Sequence, residues 1–304
     1  MNKRKIRRII ATLLVLVLSI LTGYTVGNIY ISSIPPETIV NGSEDKLRDD
    51  TTELIEKYKS GDYSITDFSA VENYQIAEYV YKNQENYYKL QTGTVKAKAA
   101  GINQTQNMQA QKFKNGNKFM VEKICKGLVS IAKRFYYDKD EEKVTIYDGD
   151  TNGIKLNNNG FYVTSYSPKS HSMKHSKYKE DYATSFENTM PYIVSSITYE
   201  KDYKITKSHK NADGTYTFTL EFKDEYAQLA GFYYAYEVKN SSELEQPPTF
   251  KYLAIDVTIN SDWEFVNVIY REEYTMLYTG LVANVTTLFN EDFFYDYREI
   301  PETN

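Results

Sequence analysis

The sharpest chemistry-bearing stretch in this chain is Asp148-Gly149-Asp150-Thr151-Asn152-Gly153. Oxygen-bearing residues at positions one, three and five, with glycine at six, match the first half of an EF-hand calcium loop, where the glycine permits a tight bend. The second half departs from that pattern. Position twelve is Asn159 where a bidentate Glu is needed, and Ile154 and Leu156 flank the usual apolar position without filling it. The residues before the loop read as a strand, not a helix. Asp148, Asp150 and Asn152 are therefore weak calcium candidates, and a plain Asp-Gly and Asn-Gly turn accounts for the same residues. No metal or cofactor is expected.

His171 and His175 stand four apart, a spacing that would set two imidazoles on one helical face. Lys169, Lys174 and Lys177 crowd that site with positive charge, and a metalloprotease would need a Glu that is missing. The stretch reads as a solvated basic loop. Cys125 is the single cysteine, alternates with Lys123 and Val121 on an expected strand, and reads as a small buried hydrophobe with no internal disulfide partner. Acid clusters such as Asp140-Glu141-Glu142, Glu180-Asp181 and Glu291-Asp292 could supply paired carboxylates, yet they fall in expected turns and at element ends. No nucleophile elbow, Ser-x-x-Lys pair, phosphate loop or dinucleotide fingerprint is present, so the chain is not expected to be an enzyme.

The elements that would position such residues begin with an anchor. Lys3, Arg4, Lys5, Arg7 and Arg8 precede an uncharged run from Ile9 to Ile31, just long enough to cross the hydrocarbon core as a helix. The basic flank should stay cytoplasmic, which directs the rest of the chain outward. The most hydrophobic part, Ile9 to Leu21, also has the length of a cleaved signal, but no Ala-x-Ala site follows. The sequence thus divides into a cytoplasmic stub (1–8), a single-pass anchor (9–31), a Pro-Pro and Asn-Gly linker (32–50) and an extracytoplasmic domain (51–304). Removing the five positive charges of the stub from the net −5 leaves an exported part near −10, which disfavours nucleic acid.

Within that domain, Thr51–Ser60 reads as a short helix closed by Gly61. A second helix is expected from about Ser69 to Leu90, capped by Thr66 or Asp67, with Val71, Tyr74, Ala77, Tyr81 and Tyr88 forming its apolar stripe. The period then changes to two. Strands are expected at Val95–Ala99, Gln109–Lys114, Lys118–Cys125, Ile131–Asp138 and Lys143–Asp148, with a polar turn over Gly101–Thr105 and a hairpin turn at Asn115-Gly116. Thr151 to Asn188 is the least regular part and reads as a long loop, either a lid or binding loop in form or merely mobile, within which Tyr178–Glu187 could form one or two helical turns. Strands resume at Ile193–Tyr199, Tyr203–Ser208, Tyr216–Phe222, Lys251–Asn260, Trp263–Met276 and Leu281–Phe289, with Asp224–Tyr236 as a possible helix. Thirty Tyr in 304 residues agree with a strand-rich fold and offer rings that could line a cleft.

This order of elements resembles the LolA/LppX group of bacterial lipoprotein-carrier and lipid-binding proteins. The likeness rests on the helix ending in Tyr87-Tyr88-Lys89-Leu90-Gln91-Thr92-Gly93, on Phe135-Tyr136-Tyr137-Asp138 followed by Val144-Thr145-Ile146-Tyr147-Asp148-Gly149, and on the strand–turn–strand ending Ile255 to Phe265. It also resembles surface proteins of low-GC Gram-positive bacteria. The resemblance implies an α+β fold in which helices cover the concave face of a large, curved, half-barrel-like antiparallel sheet that holds acyl chains. It assigns no binding residue, and the acylated cysteine of anchored members is absent. The expected function is a membrane-anchored extracytoplasmic protein holding an apolar or amphipathic, lipid-like ligand. Two rivals are an adhesion or protein-interaction module, with a filled core and convex-face aromatics, and an envelope hydrolase with a buried carboxylate pair or a Ser/His arrangement.

Overall fold

The computed structural model describes residues 51–99, 101–127, 130–182, 185–188, 203–222, 246, 248–278 and 280–302. The expected anchor and linker (1–50), the strand expected at Ile193–Tyr199 and the helix expected at Asp224–Tyr236 lie outside them. Among the described residues no helix is long and apolar enough to cross a membrane.

Helix α1 (Thr52–Lys59) ends before Gly61, as expected. Helix α2 (Ala70–Asn83) is shorter than its stripe suggested and is capped by a different residue. Ser69 and Glu72 form a reciprocal capping box: Glu72 N–H donates to Ser69 Oγ at 3.2 Å, and Ser69 N–H donates to Glu72 Oε2 at 2.7 Å. Thr66 and Asp67 belong instead to a preceding 3-10 turn, where Asp67 accepts from Ser64 N–H. At the far end Gln84 turns to extended backbone and starts the first strand, so Tyr88 and Leu90 are strand residues. Their β-favouring aromatic and branched neighbours gain more from the ladder on both flanks than from two further helical turns.

Strand β1 (Asn86–Ala99) pairs along its whole length with β2 (Ile102–Asn115), so the turn expected over Gly101–Thr105 shrinks to its first residues. The meander continues through β3 (Lys118–Lys126), β4 (Ile131–Asp138) and β5 (Lys143–Gly149). Gly116 opens the β2–β3 connection at a φ of +56°, a conformation that costs glycine little. The region read as a long loop is largely structured, and the helical turns expected over Tyr178–Glu187 are present, starting three residues earlier. A small hairpin, β6 (Lys155–Leu156) with β7 (Tyr162–Val163), is followed by edge strand β8 (Tyr166–Lys174) and helix α3 (His175–Tyr182). Pro168 hid this strand from the pattern, although an edge position tolerates its missing donor. Strands β9 (Tyr203–Lys210), β10 (Tyr216–Phe222), β11 (Thr249–Ile259), β12 (Phe265–Tyr278) and β13 (Leu281–Phe294) complete the sheet.

Eleven strands form one antiparallel sheet in the order β8-β5-β4-β3-β2-β1-β13-β12-β11-β10-β9. Two meanders therefore grow outward from a seam where β1 meets β13, the first and last strands of the domain. The sheet is curved. Cys125 on β3 reaches electrostatic range of Tyr274 on β12, four strand spacings away; on a flat sheet that separation would be about 19 Å. The observed class is α+β, dominated by strand.

Helix α2 packs on the inner face at one end. Tyr74 meets Phe218 and Phe265 with ring centroids 6.2 Å apart, and Tyr81 packs on Tyr87, Phe265 and Phe293. Trp263 donates its indole N–H to buried Asn73 at 2.7 Å, tying the β11–β12 turn to this helix. Tyr178 of α3 and Phe186 of the following 3-10 turn close the same end against Tyr137 and Phe119.

Candidate functional site on the inner face of the sheet

Strand alternation sends Tyr87, Lys89, Gln91, Gly93, Val95 and Ala97 of β1 to the inner face. The cross-strand partners of Gln91 are Glu291 on β13 and Ala110 on β2, while Val95 faces Thr287 and Ala97 faces Val285. Nearest the helices this face is aromatic. Further along the seam it becomes polar, then small.

The polar part is buried. Lys89 (1% exposed) and Glu291 (0%) form an ion pair at 3.4 Å, and Tyr270 donates its hydroxyl to Glu291 Oε2 at 2.7 Å. The Lys89 ammonium also lies 5.0 Å from the Tyr81 ring centroid. Burial raises the Glu291 carboxyl above its ordinary range, and the Lys89 charge and the Tyr270 hydroxyl pull it back. Buried Lys112 donates to the backbone carbonyl of Glu187, and Thr287 donates to Glu272 at 2.7 Å. Gln91 is 1% exposed, and its Oε1 has no hydrogen-bond partner.

Beyond this cluster Ala97, Ala99, Ala283 and Val285 present small side chains, with Met108, Met276 and Tyr274 packed against the same core. At Gly93 the inner face has no room for a Cβ, because the Phe289 ring lies over it. Cys125 stands on the β3 side. Burial pushes its thiol up to about 12, so it is a packing residue and not a nucleophile, as the sequence suggested.

The histidine stretch is placed differently from its reading as a basic loop. His171 lies on edge strand β8 opposite Ile146, whereas His175 begins α3 and is half-buried. The Phe186 backbone N–H donates to His175 Nε2 at 3.1 Å, which leaves Nδ1 carrying the proton toward the Tyr137 hydroxyl at 2.9 Å. The extended backbone of β8 between them sets the two imidazoles apart along the strand; the helical spacing was coincidental. Asp150 closes a local turn, accepting from Asn152 N–H at 3.0 Å, while Asp148 sits in β5 opposite Lys133. Among the described residues no three His, Cys, Asp or Glu side chains come together as a metal site.

The convex face carries a second set of aromatics, Tyr88, Phe113, Tyr136 and Phe294. The C-terminal tail covers them. Arg298 stacks 4.3 Å from both the Tyr88 and Phe294 rings, Tyr136 donates to Pro301 O at 2.6 Å, and Asn115 donates to Arg298 O at 2.8 Å. The β6–β7 hairpin packs on the same face, where Ile154 joins Ile124 and Ala132, and Gln109 exchanges two hydrogen bonds with the Tyr162 backbone. The first part of the expected lid, through β7, is thus an external brace, while its last part, α3 and the Phe186 turn, packs on the inner face. Sequence reading missed Lys89, Gln91 and Lys112 and set Glu291 at an element end, whereas it lies buried within β13; polar residues on the inward phase of strongly β-forming strands were the available signal.

No protein-family profile and no curated protein sequence matches the chain. Among solved structures it is similar to LprF from Mycobacterium bovis (TM-score 0.33, 9% identity, covering 72% of this chain and 90% of that one). It is also similar to a DUF1329 family protein from Desulfovibrio piger (TM-score 0.22, 8% identity, 73% and 89% covered). A third is a beta-barrel-like protein of the domain of unknown function DUF1849 from Brucella abortus (TM-score 0.22, 10% identity, 69% and 99% covered). These scores are low, so what the chain does must be read from its own residues.

Two outcomes follow from this geometry. Lys89→Met leaves Glu291 buried beside an apolar stem, so it should cost about 3–5 kcal/mol. Adding Glu291→Leu should recover most of that in urea unfolding, and a purely additive double variant would contradict the pairing. His175 is held neutral: burial depresses its pKa despite the opposing Glu187 charge. The unfolded chain therefore takes up this proton first, and stability should fall as pH drops below about 6.5. His175→Gln should flatten that slope between pH 7.5 and 5.5, as read from urea midpoints.

Proposed function

We propose that this chain is a membrane-anchored, extracytoplasmic binding protein that holds an amphipathic, lipid-like ligand in the trough of its curved sheet. The observation that carries the reading is the change of side-chain size along the inner face. Aromatic rings fill the end under α2 and α3, while the seam beyond presents Ala97, Ala99, Ala283 and Val285 between longer residues on its flanks. Small side chains on the floor of a curved sheet with long ones on its walls describe an elongated, mostly apolar trough. Buried polar groups at its inner end suit one polar head.

The anchor reading rests on the basic flank and the Ile9–Ile31 run. A helix ahead of a curved antiparallel sheet is also the element order of the LolA/LppX group. The adhesion alternative draws less support, because the convex aromatics it requires lie under the C-terminal tail.

The full-length protein, transferred to amphipol to remove detergent, should enhance the emission of a fluorescent fatty acid at one site per chain. Ala97→Trp fills the trough and should weaken that uptake at least tenfold. An unchanged affinity would move the ligand elsewhere, and no uptake by the parent chain would end the reading. Alkaline carbonate should leave the full chain in the membrane pellet and release a chain lacking residues 1–31; release of both would remove the anchor.

A further inference from the structure

The inner-face polar cluster is asymmetric in a way that bears on the ligand's head. Lys89 is engaged by Glu291, and Lys112 by the Glu187 carbonyl, so these two buried ammoniums already meet acceptors, while a third buried lysine, Lys123, stands on β3 beyond Ala110 in the same cross-strand row as Gln91. Glu291 and Glu272 receive Tyr270 and Thr287 hydroxyls. Gln91 differs from all of these. It sits at the start of the small-residue floor, 1% exposed, and its Oε1 is buried with no donor. Its cross-strand neighbours are Glu291, which donates nothing when ionised, and Ala110, which has no polar side chain.

Leaving a buried acceptor unsatisfied is unfavourable, and an apolar residue of similar length would fill this position without that penalty. A Gln kept here fits a donor supplied from outside the chain. An ionised carboxylate or a phosphodiester head would meet the buried lysines of this face, but it has no proton to give the Gln91 carbonyl oxygen and would leave that acceptor unsatisfied.

Building on the trough reading, we infer that Gln91 is the head-group residue of the site and that the head it takes is a neutral hydrogen-bond donor, a hydroxyl-bearing amphiphile such as an acylglycerol, and not an anionic lipid. The acyl portion lies along Ala97, Ala99 and Ala283, and the hydroxyl donates to Gln91 Oε1.

The test uses the full-length chain in amphipol, incubated with equimolar monoolein, methyl oleate and oleate, followed by mass spectrometry of the lipid retained. These three share one acyl chain and differ in the head: a hydroxyl donor, an acceptor without a donor, and an anion. Monoolein should be recovered over methyl oleate by roughly tenfold, the effect of one buried hydrogen bond, with oleate also below monoolein. In Gln91→Leu the ratio of monoolein to methyl oleate should fall to near one, with methyl oleate still retained. The ligand-free variant should unfold at the same or a higher temperature than the parent, because an unsatisfied polar group has gone. If Gln91→Leu does not fold, Gln91→Met keeps the side-chain length and makes the same prediction.

Equal recovery of all three lipids by the parent chain, or preference for oleate, overturns the head-group assignment while leaving the trough intact. A monoolein preference that survives in the Leu and Met variants overturns the role of Gln91. Retention of none of the three overturns the trough reading itself.

Discussion

The pairing of β1 with β13 is the constraint on which the rest of this structure depends. These strands are the first and last of the domain, and each carries a complete meander on its outer side. Without this seam the sheet is two separate halves. Lys89 and Glu291 form an ion pair across it, 1% and 0% exposed, with Tyr270 reaching in from β12. Such a pair is no strong source of stability, since desolvating both charges offsets most of their attraction. Its effect is on register. A slip by one residue along the seam would turn Lys89 or Glu291 to the convex face and strand its partner in the core.

Along that seam the inner face also changes in chemistry from one end to the other. On the helix side, Tyr81, Tyr87, Phe265 and Phe293 interlock with edge and tilted ring contacts, the kind of packing that excludes a ligand. Tyr74, Tyr81 and Tyr87 spend their rings here, in holding α2 to the sheet, and not in lining a cleft. On the other side the alanines and Val285 take over. The polar cluster stands at the boundary, where a molecule with one apolar end and one polar end would change character at the same point.

Part of the convex face is covered by two unrelated devices. The β6–β7 hairpin inserts Ile154 over Ile124 and Ala132, and the C-terminal tail lays Arg298 and Ile300 over Tyr88, Phe113 and Met120. Beneath the tail a buried Glu122 is engaged by Arg134 at 2.6 Å and by Gln111. Among the described residues the helices pack on the inner face, and on the convex face these two segments cover part of the apolar surface. The first part of the segment that reads as a candidate lid is thus a structural cover.

The strands were legible in the sequence wherever alternation was clean: β3, β4, β5 and β10 stand within a residue or two of their expected bounds, because period-2 burial and turn residues are local properties. Helix α2 was legible in type but not in length, since Tyr88 continues a helical stripe by spacing while the β1 ladder claims it through partners nearly two hundred residues away. Edge strand β8 was hidden by Pro168 and by its polar, exposed side chains. The candidate site was the least legible part. Lys89 with Glu291, and Gln91 with its missing donor, are separated by about the whole length of the domain, and nothing local marks them as neighbours. The amino-acid sequence by itself determined the class of fold, the fate of Cys125 and the extent of the apolar N-terminal run. Which charges share the interior, and which acceptor lacks a donor, was decided only by the seam, because burial and pairing are properties of the assembled sheet.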